Sequence, residues 1–590
     1  MIGAEPIIGG PILALAGGDG GSVNPPQPSD PSSTYDWTVR VRFGGNDLTN
    51  LITGQLEVDR EEGGAGVAGV VMYFEEGVAV VPTDWTGVAL SIDFISTRAG
   101  STSEARLFTG VLSQPDWDPV TRLMACAASD NLQLRVEAMG VEQIQALIPG
   151  YWSADVYEPT DGRSHWDYAQ ELLGSLPASL DCSAHGALRL TSWTPTAPAF
   201  EFGEGTTFYQ SVRVELAEQE AITNFIEIEI SYRYSRLREF SQTYGWTHPG
   251  TGGLIGLAGL CAWRNDDSEL PNIEMILGSG SGAGQVITSA NWYRLPPTHP
   301  DPCGNGMPWI NNFSDLLLGA GWTGKRRWVQ TVTERYAFRL HTDGGEDEVR
   351  RVTQRRGSSF DIEAAEADGW ADSLLPININ QDSIATSPGS PGFGPPGDRH
   401  NEPRRIAGIR CQLETARTEL ISAHRRTAVS WDVPTPEAMG VDLVHTLLLK
   451  DQGVQAQGKC RRIRHVLDLD SGNANTTLSI AVRRMGAGSN QPLTIPPRLG
   501  AADGGGGGGG AAPSNDLPTQ LGGKFTSEPY DDDLLGFAGN YSIPQDPSLE
   551  QFPRRMTVEA DEIPAADTDE RVYEGTFTYH VGIPDDLLVM

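Results

Sequence analysis

Alternation of apolar and polar residues is the dominant pattern along this chain. In DWTVRVRF at 36–43, Val39, Val41 and Phe43 fall on one side and a GGND turn follows, which predicts a half-buried strand. The same period of two recurs at VAGVVMYFEE, VALSIDFIS and EARLFTGVLSQPDWDPVTRLMACAAS, so residues 36–140 read as a first β-domain. Further on, Ile226, Ile228 and Ile230 alternate with Glu227 and Glu229, and Tyr232 and Tyr234 continue the pattern beyond Ser231. That is the pattern of a sheet with two unlike faces. Strand-like segments return at RRWVQTVTERYAFRLH, IAGIRCQLETARTELISAHRR, TAVSWDV and 459–484, with one more at VYEGTFTYHV.

A single helix stands out, in GRSHWDYAQELLGSL. Ser164 is placed to cap it, Asp167 to close the capping box, and Trp166, Ala169, Leu172, Leu173 and Leu176 form its apolar stripe. HGALRLTSW follows as a strand.

Breaks in the pattern divide the chain. SVNPPQPSDPSS at 22–33 is a linker, 245–320 is irregular, and TSPGSPGFGPPGDRH and the glycine run at 504–510 mark later boundaries. The division expected is a flexible arm at 1–35, a barrel-like β-domain at 36–140, a small α+β domain at 141–235 and an inserted β/irregular peripheral domain at 236–403. A second barrel-like β-domain follows at 404–490, then a Gly-rich linker at 491–524 and an acidic β segment at 525–590. The fold class expected is mainly β: two β-barrel-like domains, a small α/β insertion and irregular peripheral regions.

Charge narrows the function classes. The net charge of -34 over 590 residues argues against broad affinity for nucleic acid, which needs a basic surface. No stretch reaches the roughly 18 apolar residues of a membrane span. The N-terminal apolar run has no preceding basic region and is interrupted by proline, so it reads as an arm, not a signal peptide. Cys126, Cys182, Cys261, Cys303, Cys411 and Cys460 are scattered without a CxxC pair, the distribution of buried free thiols.

Candidate chemistry is sparse. HExxH, a phosphate loop and a GxGxxG directly after a predicted strand are absent, and the glycine run lacks the lysine and hydroxyl of a phosphate loop. His165 at the helix start reads as a helix-end residue, and Asp531, Asp532 and Asp533 as turn and solubility residues. Asp116 and Asp118 flank Trp117, but an opposed carboxylate pair normally comes from separate elements. No catalytic, cofactor-binding or metal-binding residue is therefore assigned.

The stretch KCRRIRHVLDLDSGNANTTLSIAVRR at 459–484 holds the one basic cluster of interest. Asp468 and Asp470 have calcium-loop spacing, but Gly472 falls at the fifth position and no glutamate closes the loop. A long hairpin fits better. Leu478, Ile480 and Val482 share one face, Ile463, Leu467 and Leu469 take the core side with His465 the odd member, and Arg462 and Arg464 point away. FTGVLSQPDWDPVTRLMACAAS at 108–129 has the same plan, with Gly110 matching Gly458 and Asp116 and Asp118 matching Asp468 and Asp470.

FTGVLSQPDWDPVTRLMACAASDN, the intervening SHWDYAQELLGSL with HGALRLTSW, and GKCRRIRHVLDLDSGNANTTLSIAV together resemble the baseplate hub proteins of long-tailed bacteriophages, related to the spike base of contractile injection systems. The resemblance covers about 36–235 and 404–485. It implies a homotrimeric ring at the tail tip of the virion, made in the host cytoplasm, whose six tube-like domains continue the tail tube. It further implies adaptation of threefold tip or fibre proteins to the sixfold tube and distal tail protein, passage of DNA and the tape-measure protein through the lumen, and no enzymatic activity. Arg462 and Arg464 would then face either the channel or a subunit interface. Two other readings stand beside it: a carbohydrate-binding or carbohydrate-active tail protein, using Trp117 or the residues of NWYRLPP, and a generic capsid or fibre protein.

Overall fold

The computed structural model describes residues 35–590 except 99, 219–221, 250–269, 296–297, 300–308, 311–314, 343–351, 362–373, 375–391, 394–396, 485, 487, 489–491, 503–514, 522–528 and 540–551. The expected N-terminal arm, the glycine run, Cys261 and Cys303 lie outside the described residues. Strand makes up 49% of the structure and helix 17%, so sheet dominates with small helical insertions.

The first unit contains β1 (Tyr35–Phe43), β2 (Ile52–Glu61), β3 (Val67–Tyr73), β4 (Ala89–Arg98), β5 (Ser101–Asp118) and β6 (Leu123–Ser129). The alternation seen in the sequence places Val39, Val41, Phe43, Leu56, Val58, Val70, Ile92 and Phe94 in one core. A small α+β region follows: α1 (Leu132–Glu137), α2 (Val141–Leu147), α3 (His165–Leu173) and the hairpin β7 (Ala178–Cys182) with β8 (Leu188–Ser192). Ser164 caps α3 by accepting the Asp167 N–H at 3.3 Å, and Tyr168, Ala169, Leu172 and Leu173 are its buried face. Asp167 does not close the box. Instead the Glu137 carboxylate accepts from the Ser164 hydroxyl and the Trp166 N–H, each at 2.9 Å.

Next come β9 (Phe200–Gly203) and β10 (Arg213–Glu215), which leave the α+β region to pair with strands far downstream. Between them and the second hairpin stand β11 (Phe225–Thr247), α4 (Ile273–Gly282), β12 (Val286–Arg294), β13 (Leu317–Thr342) and β14 (Thr353–Asp361). The segment expected as a strand at 406–426 is helical, α5 (Glu402–His424). Ile409, Leu413, Ala416 and Leu420 recur at helical spacing and pack on the Ile226–Tyr234 face of β11. Asn401 caps α5 through the Arg404 N–H at 3.1 Å, so local signals and tertiary burial agree on helix despite the β-branched residues.

The second unit is completed by β15 (Thr427–Pro434), β16 (Thr446–Asp451), β17 (Val454–Asp468) and β18 (Asn473–Val482). β19 (Arg571–Val581) joins β13 in parallel. The two units form one 14-stranded sheet whose main path runs β10-β15-β18-β17-β2-β3-β6-β5-β4-β1, an open path among the described residues.

The register reveals a repeat. In the first unit Ala89, Val111, Ser129, Val67 and Asp59 form a row across β4, β5, β6, β3 and β2. In the second, Thr446, Lys459, Ala481, Ala428 and Glu215 form the same row across β16, β17, β18, β15 and β10. Strand order in space and in the chain is the same in both. The peripheral β11–β14 region and α5 thus interrupt the second unit between β10 and β15, where the first has only a short β2–β3 connection.

Candidate functional site

The two long hairpins share three devices. Gly110 and Gly458 occupy equivalent places in the rows. A Cβ on Gly110 would stand 2.5 Å from the Ser129 carbonyl oxygen, and one on Gly458 2.4 Å from that of Ala481. Only glycine permits this approach. Two residues later each ladder shifts register at a bulge, after Leu112 in β5 and after Cys460 in β17, which bends the strand toward a new neighbour.

The turns also match. Asp468 Oδ1 accepts the Asp470 and Ser471 N–H groups at 3.0 and 3.1 Å, and its Oδ2 accepts the Ser471 hydroxyl at 2.6 Å. Gly472 closes the turn at φ 73°, in the left-handed region. Asp118 accepts the Val120 and Thr121 N–H groups at 2.8 and 3.4 Å and the Thr121 hydroxyl at 2.7 Å, with Arg122 at φ 59°. Hydroxyl and backbone donors lower the pKa of both carboxyls. The turn residues therefore equate Asp118 with Asp468, correcting the match of Asp116 with Asp468, and both carboxylates serve their own turns.

Beyond the bulge, β17 runs alongside β2 of the first unit, with Arg462 to Asp468 opposite Glu61 to Gln55. This seam has a charged face and an apolar face. On the charged face the Arg462 Nε donates to Asp59 at 2.9 Å and the Arg464 Nε to Glu57 at 2.7 Å, while Arg461 lies 3.9 Å from Glu61. The hydrogen bond it donates to Asp59 raises the pKa of Arg462, and the one donated to Glu57 raises that of Arg464. The arginines singled out in the sequence are thus neutralised by the first unit of their own chain.

On the apolar face Leu467 and Ala474 enter the core of the first unit. His465 is 3% exposed, and its Nδ1 lies 2.8 Å from the Thr476 hydroxyl, which donates to Thr435 at 3.1 Å. Burial, with a smaller contribution from Arg60, lowers the His465 pKa to about 3. The hairpin tip is anchored by the Trp37 indole N–H, which donates to the Gly472 carbonyl at 2.9 Å, and by the Leu469 N–H to Gly54 at 3.0 Å.

A buried ionic junction lies behind the seam. Asp442 accepts from Arg60 Nη2 at 2.6 Å and from Arg189 Nη1 and Nη2 at 2.6 and 3.0 Å, and Arg189 Nε also donates to Asp181 at 2.8 Å. Burial alone would raise the Asp442 pKa; the Arg189 hydrogen bonds and the Arg60 charge outweigh it and hold the carboxyl well below its usual range. Nearby, Glu62 accepts from Arg425 at 3.0 Å and from Ser179 at 2.7 Å. The first unit, the α+β region and the second unit meet here. The sequence gives no sign of this junction, because its members are single charged residues far apart in the chain.

The remaining candidates occupy structural places. Trp117 packs edge-on against Phe74 at 5.7 Å beneath the Arg122 guanidinium, and Trp292 is 9% exposed, so neither is an open sugar platform. His165 starts α3. Asp531, Asp532 and Asp533 are exposed, and the Asp533 N–H donates to Asp531 at 2.9 Å, as in a turn. Cys126, Cys182, Cys411 and Cys460 are buried free thiols, and burial pushes Cys126 up to about 11 and Cys182 and Cys411 up to about 12. Among the described residues no helix is long and apolar enough to cross a membrane.

No family model and no curated protein matches the chain. Among solved structures it is similar to a tail protein from Neisseria meningitidis (9% identity, TM-score 0.35, covering 76% of this chain and 96% of that one). It is also similar to a 43 kDa prophage tail protein from Shewanella oneidensis (10%, 0.34, 75% and 98%) and a prophage tail protein from Listeria monocytogenes (8%, 0.31, 75% and 94%). At such TM-scores the likeness assigns neither a family nor a function.

Proposed function

We propose that this chain is a non-enzymatic structural protein of a bacteriophage tail. In this reading it forms a homotrimeric baseplate hub at the tail tip that continues the tail tube. The observation that carries the reading is the repeat: two units of one chain share strand order, row register, bulge position and turn, and are joined edge to edge by β17 and β2. Three such chains present six similar units, which is what an adapter between threefold tip or fibre proteins and a sixfold tube or distal tail protein requires. The units serve as the barrel-like tube domains, and the β11–β14 region with α5 as a peripheral decoration.

The electrostatics suit a conduit. The net charge is -34, and Arg462 and Arg464 are engaged by acids, so this face offers no spare cation pair to phosphate. DNA and the tape-measure protein can pass without being retained.

The test is labelled-antibody imaging of intact particles. Label confined to the tail tip is expected. Label on the capsid or along fibres, or glycan hydrolysis by the purified chain, would overturn the reading.

A further inference from the structure

The repeat leaves one half of a seam unmade on each unit. In the second unit the part of β17 beyond its bulge pairs with β2. The equivalent part of β5, residues 113–118, pairs only with β6, and its other edge carries no backbone ladder among the described residues. The equivalent of β2 is β10, which pairs with β15 on one side and has its outer edge open among the described residues. Rows and bulges place Asp59, Val58 and Glu57 at Glu215, Val214 and Arg213, and place Arg464 at Asp116.

We infer that the seam is repeated between copies of this chain: residues 116–118 of β5 in one copy pair antiparallel with Arg213–Glu215 of the next, and Asp116 meets Arg213 on the diagonal. This specifies the self-contact of the homo-oligomer proposed above and rests on that reading for the partner being a second copy.

Charge supports this choice of occupant. Within the chain the diagonal pair of the seam is Arg464 with Glu57. Between copies the same two positions hold Asp116 and Arg213, opposite charges with the polarity reversed. Both are exposed, and Arg213 has no ion-pair partner among the described residues. In the inferred register Glu215 comes opposite Asp116, as Asp59 stands opposite Arg464; these are like charges, and Arg213 is the cation that offsets both.

Exposure supports it as well. Leu216, one residue past β10, takes the place of Arg60, which is 4% exposed at the internal seam, yet Leu216 is 60% exposed. A neighbouring β5 would cover it. Pro115 removes one donor at the start of this edge, so the ladder runs through 116–118. The contact joins unlike edges and is therefore heterologous, and copies related by it close into a ring when the rotation allows.

Sedimentation of the full chain and of Arg213→Asp, Asp116→Arg and the double variant tests this. The unmodified chain is expected to associate, Arg213→Asp to weaken association by about tenfold or more, Asp116→Arg, which sets an arginine opposite Glu215, to leave it within about threefold, and the double reversal to recover most of the loss. A chain carrying Asp116→Cys and Glu215→Cys is expected to oxidise to a reducible ladder of covalent oligomers that neither single cysteine variant forms. Association unchanged by Arg213→Asp, absence of the ladder from associating protein, or an unmodified chain monomeric at every concentration would overturn the inference. The site of the antibody label on the particle is independent of all three.

Discussion

The Arg464 guanidinium donates to the Glu57 carboxylate at 2.7 Å, closing a contact between residues 407 apart in sequence. It lies on the solvent side of a seam whose other side is apolar. The two sides differ in energetic weight. An exposed ion pair contributes up to about 1 kcal/mol and is screened by salt, whereas truncating a fully buried leucine costs about 2–5 kcal/mol. Arg464→Ala is expected to lower stability by under about 1 kcal/mol, with the loss shrinking as salt is added. Leu467→Ala is expected to cost about 2–5 kcal/mol. Urea unfolding measures both, and the opposite ranking would show that charge holds the seam.

The Asp442 junction should behave differently. Its carboxylate is largely buried and is shared by Arg60 and Arg189, so removing it leaves the buried Arg60 without a counter-ion, while Arg189 keeps Asp181. Asp442→Ala is expected to destabilise by about 3–5 kcal/mol. A loss below about 1 kcal/mol in thermal or urea unfolding would contradict the shared-charge account.

The equivalent glycines make a paired prediction. Gly110→Ala and Gly458→Ala each force a methyl against a strand carbonyl and should each cost about 1–3 kcal/mol or more. Gly69 in β3 has no atom within 4 Å of an added Cβ, so Gly69→Ala should be neutral or stabilise by up to about 1 kcal/mol. Unequal responses of Gly110 and Gly458 in calorimetry would argue against the repeat.

His465 predicts an acid sensitivity. Its pKa is lowered in the fold to about 3, against about 6.5 when unfolded. Between those values the unfolded chain binds a proton that the fold does not, so stability is complete above about pH 6.5 and falls as pH drops toward 3. The slope from this group is about 1.4 kcal/mol per pH unit. His465→Leu should flatten the profile of urea midpoints between pH 6 and 4; an unchanged slope would place the sensitivity in other buried histidines such as His248, lowered to about 4.

Much of the secondary structure was legible. The alternation of Ile226 to Tyr234 identified the buried face, the Ser164 cap located α3, and the 459–484 hairpin with its inward His465 was readable from period two. α5 was also written in the chain, in the Asn401 cap and the spacing of Ile409, Leu413, Ala416 and Leu420. There the β-branched residues of IAGIRCQLETARTELISAHRR obscured the longer period. The repeat was visible only in outline, because the hairpins differ in length and the pair Asp116 and Asp118 has the same spacing as Asp468 and Asp470, which set the match two residues off.

The sequence by itself determined which face of each strand is buried and where each hairpin turns, because those depend on residue period and on side-chain bonds within a few positions. The tertiary structure decided which edges meet. Every strand presents the same N–H and C=O groups along its edge, so backbone chemistry does not name a partner. The choice of β2 for β17 came from a bulge that bends the strand, a core that accepts Leu467 and a ladder of acids opposite Arg462 and Arg464.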